Sequence, residues 1–153
     1  MVSAPTPRPR LRDLGIALGR LAPGLWNAIT DVPGVRVGQT TLIRGAGPLV
    51  RGQGPVRTGV TVILPHEGHP YLQKVPAAVH VINGAGEVTG RALIEEWGLL
   101  ETPICLTNTL NVGLVYDAVV EWLTSLAPTL DVSAWTLPVV AETFDGTLND
   151  IQG

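Results

Sequence analysis

This sequence predicts an α/β fold, or a closely related α+β one, with helices packed in layers on a sheet. Three observations carry that prediction. Short apolar, mostly β-branched runs bounded by glycine, proline or polar turns recur at 35–43, 59–65, 79–82, 102–108 and 137–144, the length and composition of strands. Two of them run into stretches of helical period, giving strand-to-helix units over 79–97 and 102–126. The chain has 153 residues, enough for one ordinary domain with a real core.

In chain order, residues 1–10 (M-V-S-A-P-T-P-R-P-R) read as a flexible or polyproline-like arm, and residues 11–153 as a single α/β domain. The arm is proline-broken and lacks an apolar core, so it does not read as a secretory signal. Residues 10–21 place apolar side chains at 11, 14, 17 and 21, a short helix weakened by Gly15 and Gly19 and stopped by Pro23-Gly24. Residues 27–34 form a turn, and Val35–Ile43 alternates as a strand. Gly45–Gly59 carries glycines at 45, 47, 52, 54 and 59 and reads as an exposed loop. Gly59–Pro65 is a β-branched strand, and His66–Pro70 a turn.

Val79–Ile82 reads as the next strand. It empties into Asn83-Gly-Ala-Gly86, and Glu87–Trp97 follows as a helix with Leu93, Ile94 and Trp97 on its apolar stripe and Gly98 ending it. Thr102–Asn108 is a short buried strand. Thr109–Leu126 is a long amphipathic helix, with Val112, Val115, Val119, Trp122 and Leu126 spaced by three and four and Asn108 or Thr109 as its cap. Leu137–Phe144 is the last strand, closed by Asp145-Gly146, a hairpin-type turn signal.

Composition narrows the function classes. Hydrophobic residues make up 45% of the chain and charged residues only 15%, and the mean hydropathy is +0.29. So apolar a chain either packs a dense core or buries part of its surface against partners. A net charge of −3, a single lysine (Lys74) and scattered arginines leave no basic footprint for nucleic acid or an anionic membrane. No apolar run reaches the roughly 18 residues of a membrane span. Cys105 is the only cysteine and sits in an apolar run, so it has no internal disulfide partner, and a reducing, cytoplasmic compartment is expected.

Three clusters could carry chemistry. At 83–90, N-G-A-G-E-V-T-G, glycines meet a helix start as in phosphate loops, but the segment matches neither the dinucleotide fingerprint nor the P-loop. Glu87 would repel phosphate there; it suits either a cationic guest such as a free ammonium group or a plain helix-dipole partnership. At 107–111, T-N-T-L-N, hydroxyls and amides collect at a helix mouth, where they can hold a carbonyl or oxyanion or simply cap the helix. At 142–150, E-T-F-D-G-T-L-N-D follows a buried strand; Glu142 and Asp145 are possible acids or bases, and Asn149 is a neutral amide donor of the kind used in oxyanion holes.

His66 and His69 with one glutamate give only a faint metal signal, and no zinc spacing, Ser/His/Asp order or nucleophile elbow appears. Ser3, Ser125 and Ser133 fall in an arm, a helix end and a loop. On residues alone, the chain reads as a ligand-binding half-site.

The motifs V-R-T-G-V-T-V-I-L-P (56–65), V-P-A-A-V-H-V-I-N-G-A-G-E-V-T-G (75–90), L-L-E-T-P-I-C-L-T-N-T (99–109) and P-V-V-A-E-T-F-D-G-T-L-N-D-I (138–151), with G-V-R-V-G-Q-T-T-L at 34–42, together resemble the L-aminopeptidase/D-esterase family, which includes the β-peptidyl aminopeptidases. The resemblance runs in order from about residue 10 onward. It implies a layered α/β/β/α sandwich, of which this chain supplies part, and a precursor that cuts itself into α and β chains. The cut frees an N-terminal serine, or threonine, as nucleophile of the β-chain.

Carried onto this sequence, the resemblance makes this chain the α-chain portion. Glu87 holds the substrate's free amine, and Asn149 donates to the oxyanion. Asn83, Asn108 and Thr109 line the pocket, and Tyr116 or Tyr71 stands for the family's substrate-side tyrosine. The nucleophile is expected on another chain. Implied partners are a β-chain from the same precursor, further αβ units and a small peptide or amide substrate; no cofactor and no metal are implied. The segment preceding the family's cut and the serine after it are absent through Gly153, so a shortened or further-processed α piece, or a fragment, inactive alone, is expected. Two other functions fit the same scaffold: a non-catalytic binding or assembly module, and a related oligoamide amidase.

Overall fold

The structure is a computed structural model in which residues 8–129 and 136–152 are described. Apart from residues 8–10, the expected N-terminal arm lies outside them, as does Ser133. Two nine-residue strands, β1 (Arg36–Arg44) and β2 (Val56–Leu64), pair antiparallel along their whole length, from Arg36↔Leu64 to Arg44↔Val56. Their β-branched residues favour the pleated state. Gly59 lies within β2 rather than in the preceding loop. A Cβ there would come within 2.2 Å of the Thr40 carbonyl oxygen, so the close approach of β1 requires a glycine.

The chain continues through β3 (Val75–Pro76), α1 (Arg91–Trp97), β4 (Leu99–Leu100), β5 (Ile104–Thr107), α2 (Val112–Leu126) and β6 (Val139–Glu142). The main sheet has the order β1-β2-β5-β6, and β3 pairs with β4 in a separate ribbon. β5 runs antiparallel to β2 and parallel to β6, so α2 lies in a crossover between parallel strands. This is a mixed α/β architecture, the class the sequence predicts.

Alternation along β5 and β6 divides the core. Cys105 and Val140 face α2, where they cluster with Val119, against Val62, Val112, Val115, Tyr116 and Leu123. Their neighbours Ile104 and Val139 point to the opposite face and pack with Ile94 of α1, Leu100, Val75 and Val88. The helical spacing of 112, 115 and 119 therefore does put one stripe of α2 on the sheet, joined by Tyr116 and Leu123, whereas Leu126 at the end of the expected stripe is exposed. Asn108 caps the first turn, a 3₁₀ turn at Thr109–Asn111, by accepting the Asn111 N–H.

Several expected elements differ. The helix over 10–21 is a single 3₁₀ turn, Leu11–Leu14, because Gly15 and Gly19 take φ of 75° and 92°, outside the right-handed helical region. The turn at 27–34 is present as expected, with a 3₁₀ turn at Ile29–Asp31, and is organised by Asp31, whose carboxylate accepts the N–H groups of Trp26 and Ala28. Those backbone donors hold its carboxyl below the usual carboxylate range.

Val79–Ile82 is apolar but forms no strand: no described strand pairs with it, and Ile82 is 90% exposed. The helix expected from Glu87 begins only at Arg91. Residues 87–89 instead lie against β6, and Gly90, at φ 70°, turns the chain into α1. Gly98, at φ 68°, ends that helix with its N–H on the Ile94 carbonyl, as the sequence predicts. Asp145 closes a single turn rather than a hairpin, accepting from the N–H groups of Leu148 and Asn149.

Among the described residues, no helix is long and apolar enough to cross a membrane. The chain of 16.1 kDa exposes 11285 Å² of surface, against about 7,400 Å² for a folded monomer of that mass.

Candidate active site

Because β5 and β6 are parallel, their carboxyl ends meet at one edge of the sheet, where open α/β sheets place ligands. β2 is antiparallel to β5, so its first residues, Val56–Thr58, lie at the same edge. The polar residues that the sequence scatters over 57–58, 107–109 and 142–150 therefore converge.

At the end of β5, Asn108 is 3% exposed and fully engaged: Oδ1 accepts from the backbone N–H and side-chain amide of Asn111 (3.1 and 2.9 Å), and Nδ2 donates to Thr58 Oγ1 at 2.9 Å. The neighbouring Thr109 hydroxyl donates to Glu142 Oε1 at 2.5 Å. At the end of β6, the Thr143 N–H and hydroxyl both donate to the Thr107 carbonyl, at 2.8 and 3.0 Å. The ends of the two strands are thereby locked together.

Glu87 reaches this edge through the backbone. The Glu142 N–H donates to the Glu87 carbonyl at 2.8 Å, Thr89 N–H to the Val140 carbonyl at 3.0 Å, and Val88 bridges Ala141 in antiparallel sense. The Thr89 hydroxyl adds a contact, accepting from the Val140 N–H at 2.9 Å. Beside this ribbon opens a cleft of about 660 Å³, whose walls include Asn83, Gly86, Glu87, Arg91 and Glu142. Gly86 lies close under Glu142: a Cβ there would sit 3.0 Å from Glu142 Oε2, a tight contact. Asn83 folds its carbonyl oxygen onto the Ala85 N–H at 2.9 Å, fixing the glycine turn from within.

Asn149 lies at the start of β2 and is not part of the wall of that cleft. It is 2% exposed; its Oδ1 accepts from Arg57 N–H at 2.7 Å and its Nδ2 donates to Asp145 Oδ1 at 3.0 Å. Next to it, Asp150 accepts the Gly54 N–H at 2.9 Å. Tyr116 packs into the helix–sheet core beside Cys105 and Val140. Tyr71 stacks its ring 3.9 Å from Lys74 Nζ. The structure thus brings Glu87, Asn83 and Thr109 to one cleft region with Glu142, sets Asn108 and Asn149 at the adjoining β2 edge, and leaves Tyr116 in the core.

Glu142 is the residue whose place the sequence conveys least: E-T-F-D after an apolar run marks a polar strand end, but not which segment lies opposite it. Arg57 and Thr58, which anchor the two asparagines, carry no local signal at all, and Asp145, marked by the sequence as a turn residue and a possible acid or base, serves instead as an acceptor for Asn149.

Candidate nucleophiles are few. Cys105 is 1% exposed, and burial pushes its thiol up to about 11, so it stays protonated and unreactive at neutral pH. Ser125 donates its hydroxyl to the Trp122 carbonyl at 2.7 Å, at the far end of α2. No group of three His, Cys, Asp or Glu side chains suited to a metal ion occurs among the described residues. The cleft and the adjoining strand ends carry two carboxylates, hydroxyls and amides held by hydrogen bonds.

Comparison with known proteins agrees with the motifs. Over 145 residues the chain is 52% identical to the beta-peptidyl aminopeptidase BapA of Sphingosinicella microcystinivorans, covering 95% of this chain and 35% of that protein. Its fold is similar to a beta-aminopeptidase of Burkholderia sp. (TM-score 0.84, 51% identity, 94% of this chain and 39% of the other). It is also similar to the L-aminopeptidase D-Ala-esterase/amidase of Ochrobactrum anthropi, described as a variant of the Ntn hydrolase fold (TM-score 0.80, 44% identity, 95% and 40%). The chain therefore spans about a third of the length of the curated relatives it matches. Residues 27–153 match peptidase family S58, and the chain belongs to that family.

Proposed function

We propose that this chain is the α-side of a self-processing serine aminopeptidase that releases N-terminal residues from peptides, amides or esters. The catalytic nucleophile is the N-terminal serine of a partner β-chain cut from the same precursor. The observation that carries this reading is the position of Glu87: it lies on the wall of an open cleft beside the carboxyl ends of β5 and β6, not at a helix start where its charge would serve only the helix dipole.

In this reading the substrate's ammonium group seats against Glu87, which orients the adjacent scissile carbonyl. The serine Oγ forms a bond to the carbonyl carbon, and its proton passes, by way of the serine's own α-amino group, to the leaving amine as the C–N bond breaks. Water then cleaves the resulting ester, releasing the amino acid and restoring the hydroxyl. Asn149, its amide held by Arg57 and Asp145, donates its second N–H to the oxyanion once the β-chain completes the site. The β-chain also supplies the remaining layers of the α/β/β/α sandwich, and αβ units assemble further. The excess of exposed surface supports a chain built to be covered.

The test is Glu87→Gln in the assembled enzyme. Loss of a charge-assisted contact to the ammonium group should raise KM for free-amine substrates about tenfold or more while leaving N-blocked substrates unchanged. Equal effects on both classes would remove Glu87 from amine recognition.

A further inference from the structure

Glu87 and Glu142 are related more closely than their separation of 55 positions in the sequence suggests. The bridge Val88↔Ala141, with Glu142 N–H donating to the Glu87 carbonyl and Thr89 N–H to the Val140 carbonyl, fixes an antiparallel register in which Glu87 and Glu142 stand directly opposite each other. Opposite residues of such a pair project from the same face, with Cα atoms about 5.5 Å apart where the pair is hydrogen-bonded. Both side chains belong to the wall of the same cleft.

Two like charges in that relation destabilise a ribbon. The cleft wall carries one permanent cation, Arg91, and its guanidinium is turned toward Glu95 at 3.5 Å along its own helix. Glu142 is held in place all the same. Thr109 donates to Oε1, and Oε2 lies over Gly86, 3.0 Å from where a Cβ would stand. One carboxylate oxygen is thus fixed by a hydroxyl while the other faces the glycine turn that leads into Glu87.

We propose that Glu142 is a second anchor for the substrate's ammonium group, so that the amine is recognised by a pair of opposed carboxylates, with Thr109 orienting the second. This rests on the aminopeptidase reading and deepens it. An ammonium has three N–H donors, and a pair of acceptors on one side restricts its direction more tightly than a single carboxylate does. The paired charge also makes the pocket selective for a protonated amine over a neutral amide or acylated nitrogen.

Glu142→Gln keeps the size of the side chain and an acceptor for Thr109 while removing the charge. In the assembled enzyme we expect it to raise KM for a free-amine amide about tenfold, to leave kcat within about twofold, and to leave kcat/KM for the desamino analogue of the same substrate unchanged. Should that variant not fold, Thr109→Val frees Glu142 without touching its charge, and we expect a smaller rise of about threefold, again confined to the free-amine substrate. If Glu142→Gln leaves the free-amine KM unchanged while Glu87→Gln raises it, Glu142 is not an anchor and the aminopeptidase reading stands. If neither variant discriminates between the two substrates, amine recognition at this cleft fails altogether.

Discussion

Asn149 is held by three hydrogen bonds, an arrangement that both stabilises the fold and orients a donor. Its backbone N–H reaches the Asp145 carbonyl at 3.0 Å, its Oδ1 accepts from Arg57 and its Nδ2 donates to Asp145. With Oδ1 committed to a backbone donor, the amide cannot flip without leaving the part-buried Arg57 N–H facing its NH2 group. Asn149→Ala should therefore cost about 1–3 kcal/mol of stability, read as a lowered Tm. Below that Tm it should lower kcat of the assembled enzyme about a hundredfold with little change in KM; a stability loss with kcat intact would leave Asn149 a purely structural clasp. At this scale the sequence is informative where chemistry and local geometry coincide. Glu87 stands out because glycines precede it. Glu142, Arg57 and Thr58 do not, because what matters about them is the strand opposite, and register across the sheet is a long-range property.

The elements divide along the same line. β1, β2, β5, β6 and α2 are legible because each has a continuous apolar period and a partner that rewards it. The run 79–82 has the composition of a strand but no described strand beside it, and 10–21 has the helical period but two glycines that leave the helical region. The second distinction is local, and the glycines already weaken that helix in the sequence; the first depends on long-range pairing. A further contact joining elements was invisible for the same reason: Lys74, before β3, forms an ion pair with Glu101 at the end of β4, while also lying over the Tyr71 ring. The Glu101 side chain is 3% exposed and that of Lys74 26%. Breaking a buried pair leaves the enclosed charge uncompensated. Lys74→Met should thus destabilise the protein by about 3 kcal/mol, the low end for such pairs because the lysine keeps some solvent, and a denaturant titration would read it. The double change Lys74→Met, Glu101→Leu should recover most of that loss; if the single variant is as stable as the parent, the pair does not hold the ribbon.

For the whole molecule, the decisive quantity is uncovered surface. Leu18, Leu21, Leu25, Leu114 and Phe144 are each at least 68% exposed, and the total area exceeds that of a folded monomer of this mass by roughly half. The sequence hinted at this in its high hydropathy and low charge, yet composition does not say which faces are bare. The structure places apolar residues on outward faces, while neither Cys105 nor Ser125 among the described residues is placed to attack a guest in the cleft. Both features follow if a second chain supplies the remaining layers and the attacking serine. Denaturing intact-mass spectrometry with N-terminal sequencing of the active enzyme tests this most directly. Two polypeptides are expected, one carrying this sequence and another beginning with serine or threonine. Full activity from a single uncleaved polypeptide, or a second chain with a different first residue, would contradict it.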